Sequence, residues 1–157
     1  MIQKTDSQQT ISKSVTLEGV GLHTGKTVSL SFKPAVENTG YVFVREDLQG
    51  APEIAADIQY VTNTERGTNL EKDSIKIQTS EHVLAALVGL EIDNCYIHLN
   101  APEPPIMDGS SKFFVDALLK AGIEKQKEAR EEFIVDEVIS FKDETSGSEL
   151  TIIPSES

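Results

Sequence analysis

A glutamate and a histidine are adjacent at positions 81 and 82, and together they have the chemistry that a metal hydrolase needs. A neutral imidazole can hold a metal ion, and a nearby carboxylate can take a proton from the attacking water. A Glu-His dipeptide is common by chance, however, and Glu81 would complement the dipole of any helix that begins there. The zincin motif is missing, because Ala85 and Ala86 stand where a second histidine is needed. The pair alone leaves a catalytic and an ordinary structural interpretation open.

The next candidate, His23, lies in a glycine-rich run at residues 19–25, which reads GVGLHTG. Glycines allow tight turns and a close approach of the backbone to a ligand, so His23 can meet a phosphate or a sugar. The alternative is a connection between two strands that merely needs glycine. A dinucleotide-binding fold is excluded, since no helix follows the run.

Asp108 ends a proline-rich loop at residues 101–109 (APEPPIMDG), directly before a predicted helix. Aspartate is also favoured at helix starts and Asp-Gly in turns, so a structural role is a strong alternative. His98 and Cys95 alternate on a predicted strand, which favours a half-buried or surface histidine and a core cysteine over a ligand and a nucleophile.

Hydrophobic periodicity indicates the elements that position these residues. A helix is expected from Thr79 or Ser80, either of which can cap it, to Gly89, and a second helix from about Ser110 to Gly122. Alternating polar and apolar residues predict strands, at residues 10–16, 27–32, 41–44, 74–79 and 95–99. Residues 123–132 are dense in charge and indicate a linker. Residues 133–141 and 149–153 indicate a hairpin.

Composition limits the class of protein. The 157 residues suffice for one domain with a core, and the net charge of -12 argues against nucleic acid or an acidic membrane surface as a partner. No apolar run is long enough to cross a bilayer, and the N-terminal residues lack the pattern of a signal peptide. Cys95 is the only cysteine, so an intrachain disulfide is excluded and a reducing, cytoplasmic location is expected.

Four motifs occur in one order: residues 19–25, residues 79–87 (TSEHVLAAL), residues 92–94 (IDN) and residues 101–110 (APEPPIMDGS). In that order they closely resemble the UDP-3-O-acyl-N-acetylglucosamine deacetylase family, the zinc hydrolases of lipid A biosynthesis in Gram-negative bacteria. The resemblance extends from about Gln9 to near the end of the chain.

The resemblance implies a role for individual residues. The residue matching His82 is a zinc ligand, and the residue matching Glu81 is the general base of acetamide hydrolysis. His23, Thr68 and Asp108 match positions near the substrate, so we expect them to bind it. The remaining zinc ligands of the family belong to a second domain, and no histidine follows His98 here. The isolated chain is therefore expected to be inactive.

The resemblance also implies the fold: an α+β two-layer sandwich, with a mainly antiparallel sheet packed on two helices, similar to domain 2 of ribosomal protein S5. We expect this domain at residues 1–122, the linker at residues 123–132, and the first hairpin of a second domain at residues 133–157. The expected partners are a UDP-sugar lipid, the second deacetylase domain in cis and, as in some members, a C-terminal hydroxyacyl-carrier-protein dehydratase. The competing class is a non-catalytic binding or assembly module of the same fold.

Overall fold

The computed structural model describes residues 2–155, which divide into two compact units. The larger unit comprises residues 7–128 and contains both helices. The smaller unit comprises the described residues before Ser7 and after Glu128. Neither helix in the described range combines the length and the hydrophobicity needed to span a membrane.

A five-stranded sheet forms one layer of the larger unit, with the strand order β2-β3-β9-β4-β5. All neighbours are antiparallel except β4 and β9, which are parallel. Buried and partly exposed residues alternate along β3 and β9, so one face of the sheet is apolar, as a strand with one face on a core requires. The strands are β2 (Val15–Val20), β3 (Thr27–Pro34), β4 (Tyr41–Arg45), β5 (Glu53–Ala55) and β9 (Cys95–Leu99).

Two helices, α1 (Glu81–Gly89) and α2 (Lys112–Ala121), form the second layer. Phe114 of α2 is fully buried and meets Phe32 of β3 edge to face, with ring centroids 6.3 Å apart. Both rings belong to a single apolar core that also includes Val83 and Leu87 of α1. The expected α+β two-layer sandwich, with a mainly antiparallel sheet on two helices, is confirmed.

A small antiparallel sheet leads the chain into α1. It contains β6 (Val61–Asn63), β7 (Asn69–Lys72) and β8 (Ile75–Ile77), in that spatial order, after a short 3₁₀ helix at Ile58–Tyr60. The loop between β6 and β7 includes Thr68, and the end of β8 lies four residues before Glu81. The sheet therefore carries both segments that surround the start of α1.

Two segments differ from the sequence-based expectation. The strand expected at residues 10–16 is interrupted, because β1 (Ile2–Ile11) ends before a bend and β2 begins at Val15. Residues 123–132, expected to be a linker, lie within β10 (Ile123–Phe133), which pairs with β1. Most side chains of β10 are exposed, so its charged sequence gives no apolar alternation from which a strand could be recognised.

The expected hairpin is present in the smaller unit, with shorter strands. It consists of β11 (Ile139–Lys142) and β12 (Glu149–Ile152), paired antiparallel with Ile139 opposite Ile152. Every residue of both strands is exposed. The assignment of these residues to a second domain stays a prediction.

Candidate functional site

Glu81 and His82 form the first turn of α1. The backbone N–H of Thr68 donates a hydrogen bond of 2.8 Å to Oε2 of Glu81, and Oε1 lies 4.0 Å from Nε2 of His82. The two side chains keep 37% and 32% of their surface exposed. One carboxylate oxygen is thus held in place, while the other oxygen and the imidazole remain open to a ligand.

Thr68 is fixed from both sides of its backbone. Its carbonyl accepts hydrogen bonds from the N–H of Ser80 at 3.1 Å and from the Ser80 hydroxyl at 2.8 Å. The expected helix cap is therefore wrong: Ser80 is the N-cap residue but makes no side-chain cap bond, and Thr79 has a left-handed φ of 52°. Both hydroxyls are used for contacts with other loops, so they position Glu81 instead of capping α1.

Glu103 lies at the point where the glycine-histidine loop, the start of α1 and the proline-rich loop meet. Its side chain is fully buried. The backbone N–H groups of His23 and Thr24 donate to its carboxylate at 3.0–3.1 Å, and the Thr79 hydroxyl donates at 3.2 Å. Sequence reasoning missed this residue, although a charged side chain between Pro102 and Pro104, next to a buried strand, is an unusual feature.

Gly21 shows how closely these loops pack. A Cβ atom built at Gly21 would lie 2.6 Å from Oε2 of Glu103 and 2.4 Å from Oγ1 of Thr24. Real Cβ atoms do not approach so closely, and the carboxylate cannot retreat without giving up its hydrogen bonds. The glycine is thus required by the buried carboxylate.

We expect the substitution Gly21→Ala to lower the stability of the chain by about 1–3 kcal/mol, as overpacking of a filled site does. Gly89→Ala is the matched control, since a Cβ at Gly89 in α1 meets no atom within 4 Å. Alanine there should be neutral or stabilising by about 0.5–1 kcal/mol, because it is the better helix former. Chemical denaturation of both variants measures the difference, and equal stabilities would contradict the packing described for Gly21.

The carboxyl group of Glu103 has two opposing influences on its pKa. Burial raises the pKa, but hydrogen bonds from the His23 and Thr24 backbone and from the Thr24 and Thr79 hydroxyls outweigh burial and hold it below the ordinary value of 4.5. A carboxyl whose pKa is lowered by folding stabilises the native state above its unfolded-state pKa. That contribution is lost as the pH falls through the folded-state value, which lies below 4.5.

Protonation of Glu103 should therefore account for part of the loss of folding stability at acidic pH. We expect the unfolding free energy of the wild type to fall more steeply below the ordinary carboxyl pKa than that of Glu103→Gln, which is less stable at neutral pH but has no carboxyl to protonate at this position. Denaturation curves at a series of pH values test this. The same decrease in unfolding free energy with falling pH in both proteins would contradict it.

His23 lies beside a cavity of about 300 Å³ next to the small sheet. Glu81 and His82 are not among the residues that line this cavity, so a shared binding site for His23 and the Glu-His pair stays a prediction. The backbone N–H of His23 is occupied by Glu103, whereas its side chain is exposed and available to a ligand. The lining includes two cations and several polar side chains: His23, Asn63, Glu65, Arg66, Asn69, Lys76 and Gln78.

Asp108 ends the proline-rich loop at an exposed turn before α2. Its Oδ1 accepts hydrogen bonds from the backbone N–H of Ser110 at 3.0 Å and from the Ser110 hydroxyl at 2.7 Å. These bonds hold the pKa of the Asp108 carboxyl below its usual range. Among the described residues, no hydrogen bond or ion pair joins Asp108 to Glu81, His82 or His23, so a role with substrate stays a prediction.

The motif at residues 92–94 has a structural role. Asn94 is buried and donates from Nδ2 to the side-chain oxygens of Gln8 and Gln126, both at 2.8 Å, while its Oδ1 accepts from the backbone of Gly40. Oδ2 of Asp93 accepts from the backbone N–H of Gln9 at 2.7 Å. These bonds hold segments of β1 and β10 within the larger unit.

His98 and Cys95 lie as their alternation along a strand predicts, with the histidine half-buried and the cysteine in the core. His98 is half-buried, with Nδ1 only 2.7 Å from Oε1 of Glu46. Cys95 is buried, and burial raises the pKa of its thiol to about 12. A thiol with such a pKa is not a nucleophile at neutral pH.

His82 fits a metal as a single ligand. In the range 2–155 no cluster of three His, Cys, Asp or Glu side chains could hold a metal ion. One imidazole holds zinc weakly, since affinity comes from several preorganised ligands. A metal at His82 therefore requires ligands that these residues do not assemble.

Comparison with known proteins decides the family. The family model for UDP-3-O-acyl N-acetylglycosamine deacetylase matches residues 8–157. The chain belongs to this deacetylase family. The matched residues include all four motifs and both loops that contact the start of α1. The family match therefore covers the whole candidate site.

Individual relatives agree with this deacetylase family. The chain is 47% identical over 147 residues to a "Bifunctional enzyme LpxC/FabZ" of Chlorobaculum tepidum, covering 94% of the chain and 32% of the relative. It is 42% identical over 148 residues to the "UDP-3-O-acyl-N-acetylglucosamine deacetylase" of a Geobacter species, covering 94% of the chain and 48% of the relative. The corresponding enzyme of Legionella pneumophila is 50% identical over 123 residues, which are 78% of the chain and 40% of that enzyme. The chain thus spans about a third to a half of the length of these relatives.

Proposed function

We propose that this chain supplies the general base and one zinc ligand of an enzyme that removes the N-acetyl group from UDP-3-O-acyl-N-acetylglucosamine in lipid A biosynthesis. The observation that carries the proposal is the start of α1, where the Glu81 carboxylate is held by the Thr68 N–H beside the open imidazole of His82. Family membership supports the reaction, and the geometry supports the division of roles between the two side chains.

Glu81 is suited to accept a proton. The hydrogen bond from Thr68 orients Oε2, and Oε1 lies 4.0 Å from Nε2 of His82. A base must be within hydrogen-bond reach of the proton that it takes, and a fixed carboxylate removes the need to order that side chain during the reaction. Glu81 would take the proton of the attacking water and deliver it to the leaving amine as acetate departs.

His82 would hold the zinc ion together with ligands from the second domain. When bound, zinc supplies a Lewis acid that polarises the acetamide carbonyl and lowers the pKa of water. The contacts of Thr68 support two roles: its backbone would orient Glu81, and its position next to the carboxylate would let it contact the acetamide of a bound substrate.

The UDP part of the substrate is anionic, and the cavity beside His23 suits it. Two cationic side chains, Arg66 and Lys76, outnumber the one acidic side chain, Glu65, in the lining of that cavity, although the net charge of the chain is -12. Local positive charge attracts a diphosphate even where the overall field is negative. We assign His23 to the nucleotide-diphosphate end of the substrate and Asp108 to a position near its sugar.

The wider context extends the proposal. Relatives named as bifunctional enzymes support a C-terminal dehydratase as a fusion partner. The unpaired, buried thiol of Cys95 suits a reducing compartment, so we assign the protein to the cytoplasm.

The test is an assay of the full-length protein that contains this segment. Purified with zinc and given UDP-3-O-acyl-N-acetylglucosamine, it should release one acetate for each free amine formed, and a chelator should stop the reaction. A zinc-loaded protein that binds the nucleotide sugar but releases no acetate would contradict the proposal and favour the non-catalytic module.

A further inference from the structure

Successive backbone N–H groups in a tight loop form a concave anion-binding site, and such sites often hold phosphate. In the glycine-histidine loop, the N–H groups of His23 and Thr24 converge in this way. Both are already filled by the Glu103 carboxylate, which lies about eighty residues further along the chain. These two N–H groups are therefore not available to a substrate phosphate, because the Glu103 carboxylate is the anion that they bind.

The partners of Glu103 explain why this position requires a carboxylate. All of them are donors: two backbone N–H groups and the hydroxyls of Thr24 and Thr79. A carboxylate only accepts, whereas a glutamine amide would place donor hydrogens opposite at least one of these donors. Hydrogen bonds to an ionised acceptor are also stronger, which compensates for burying the charge.

The carboxylate joins the two parts of the candidate site. Thr79 precedes Glu81 by two residues and is buried with the left-handed backbone that turns the chain into α1. His23, which Thr24 follows in the same loop, lines the cavity with Arg66 and Lys76. Since the side chain of Glu103 bonds to both segments, its position sets the distance between the His23 loop and the start of α1.

We infer that Glu103 is a positioning residue of the deacetylase, whose buried carboxylate fixes the His23 loop so that the imidazole meets the diphosphate end of the substrate. The inference rests on the proposed function for the identity of the ligand. The hold of Glu103 on the loop does not depend on it.

The experiment compares full-length wild type, Glu103→Gln, His23→Ala and the double variant, with Glu18→Gln as a control that removes an exposed carboxylate from β2. Hydrogen exchange of the His23 and Thr24 amides should become at least about tenfold faster in Glu103→Gln, because both amides lose an acceptor. Zinc content should stay unchanged. The KM for the UDP-sugar should rise more than kcat falls.

The double variant separates positioning from general stability. If Glu103 acts through His23, the KM of the double variant should equal that of His23→Ala, since coupled residues are not additive. Multiplied effects on KM, or an unchanged KM with faster exchange, would overturn the inference. A full-length protein without deacetylase activity would refute the proposed function, while the exchange rates would still report whether Glu103 holds the loop.

Where the Glu103→Gln variant does not fold, Thr79→Val takes its place in the experiment. Valine keeps the shape of threonine at this buried site and removes only the hydroxyl that donates to Glu103. We expect a smaller rise in KM, of about two- to tenfold, as for the loss of one hydrogen bond of ordinary strength, because the carboxylate keeps its other donors. An unchanged KM together with unchanged exchange at His23 and Thr24 would overturn the inference by this route.

Discussion

Replacing Glu81 by glutamine in the full-length enzyme should lower kcat by about a hundredfold to ten-thousandfold, the usual contribution of a general base. Glutamine keeps the size of the side chain and an oxygen for the Thr68 N–H, but it cannot accept a proton at neutral pH. Because Glu81 is not assigned as a ligand, zinc content and KM should stay close to the wild-type values. Steady-state kinetics and metal analysis measure both.

Glu18→Gln again serves as the control for loss of a carboxylate, and it should keep wild-type kcat. Near-normal turnover of Glu81→Gln would refute the assignment of the base. Loss of zinc in the same variant would make Glu81 a ligand instead.

Replacing His82 by alanine should abolish activity as well, but here the loss should come with a loss of bound zinc, which Glu81→Gln should retain. A zinc site that gives up one ligand of its set loses much of its affinity, and we expect the dissociation constant to rise at least about a hundredfold. Competition with a zinc chelator measures it. His98→Ala is the matched control, because its imidazole pairs with Glu46 and should not affect zinc binding.

An excess of zinc should restore little activity to His82→Ala, since the metal would no longer be positioned beside Glu81. Zinc affinity equal to that of the wild type would contradict the assignment of His82 as a ligand.

The isolated 157-residue chain should release no acetate even when zinc is added. Among its described residues, no cluster of three possible ligands could hold a metal, and His82 alone offers one imidazole. We therefore expect the chain not to bind zinc at micromolar zinc concentrations. Sustained, chelator-sensitive deacetylation by the purified chain would show that this segment is sufficient, and that the second domain is not needed for chemistry.

Local sequence patterns predicted the elements that carry the site. Helical spacing located α1 and α2, and alternation located β3 and β9, because each buries one face on a common core. The Glu-His pair could be placed at the start of α1 for the same reason. The motifs also indicated that the glycine-histidine and proline-rich loops belong to one site.

The contacts that orient the site could not be predicted, since they join residues far apart in sequence. By their local sequence, Thr79 and Ser80 suit a helix cap. Instead, the Thr79 hydroxyl donates to Glu103, and the Ser80 hydroxyl donates to the carbonyl of Thr68. The flanking prolines mark Glu103 as unusual, but they do not indicate that a loop about eighty residues away will supply the donors to its carboxylate. Local propensity describes a segment alone, and tertiary partners override it when they offer better hydrogen bonds.

Zinc-edge anomalous diffraction from crystals of the full-length protein tests the central claim most directly, because it locates the metal independently of activity. The account predicts one strong peak about 2.0–2.1 Å from an imidazole nitrogen of His82, with the Glu81 carboxylate beside the metal but not bound to it. A peak remote from His82, or one with Glu81 as a direct ligand, would contradict the division of roles between these two residues.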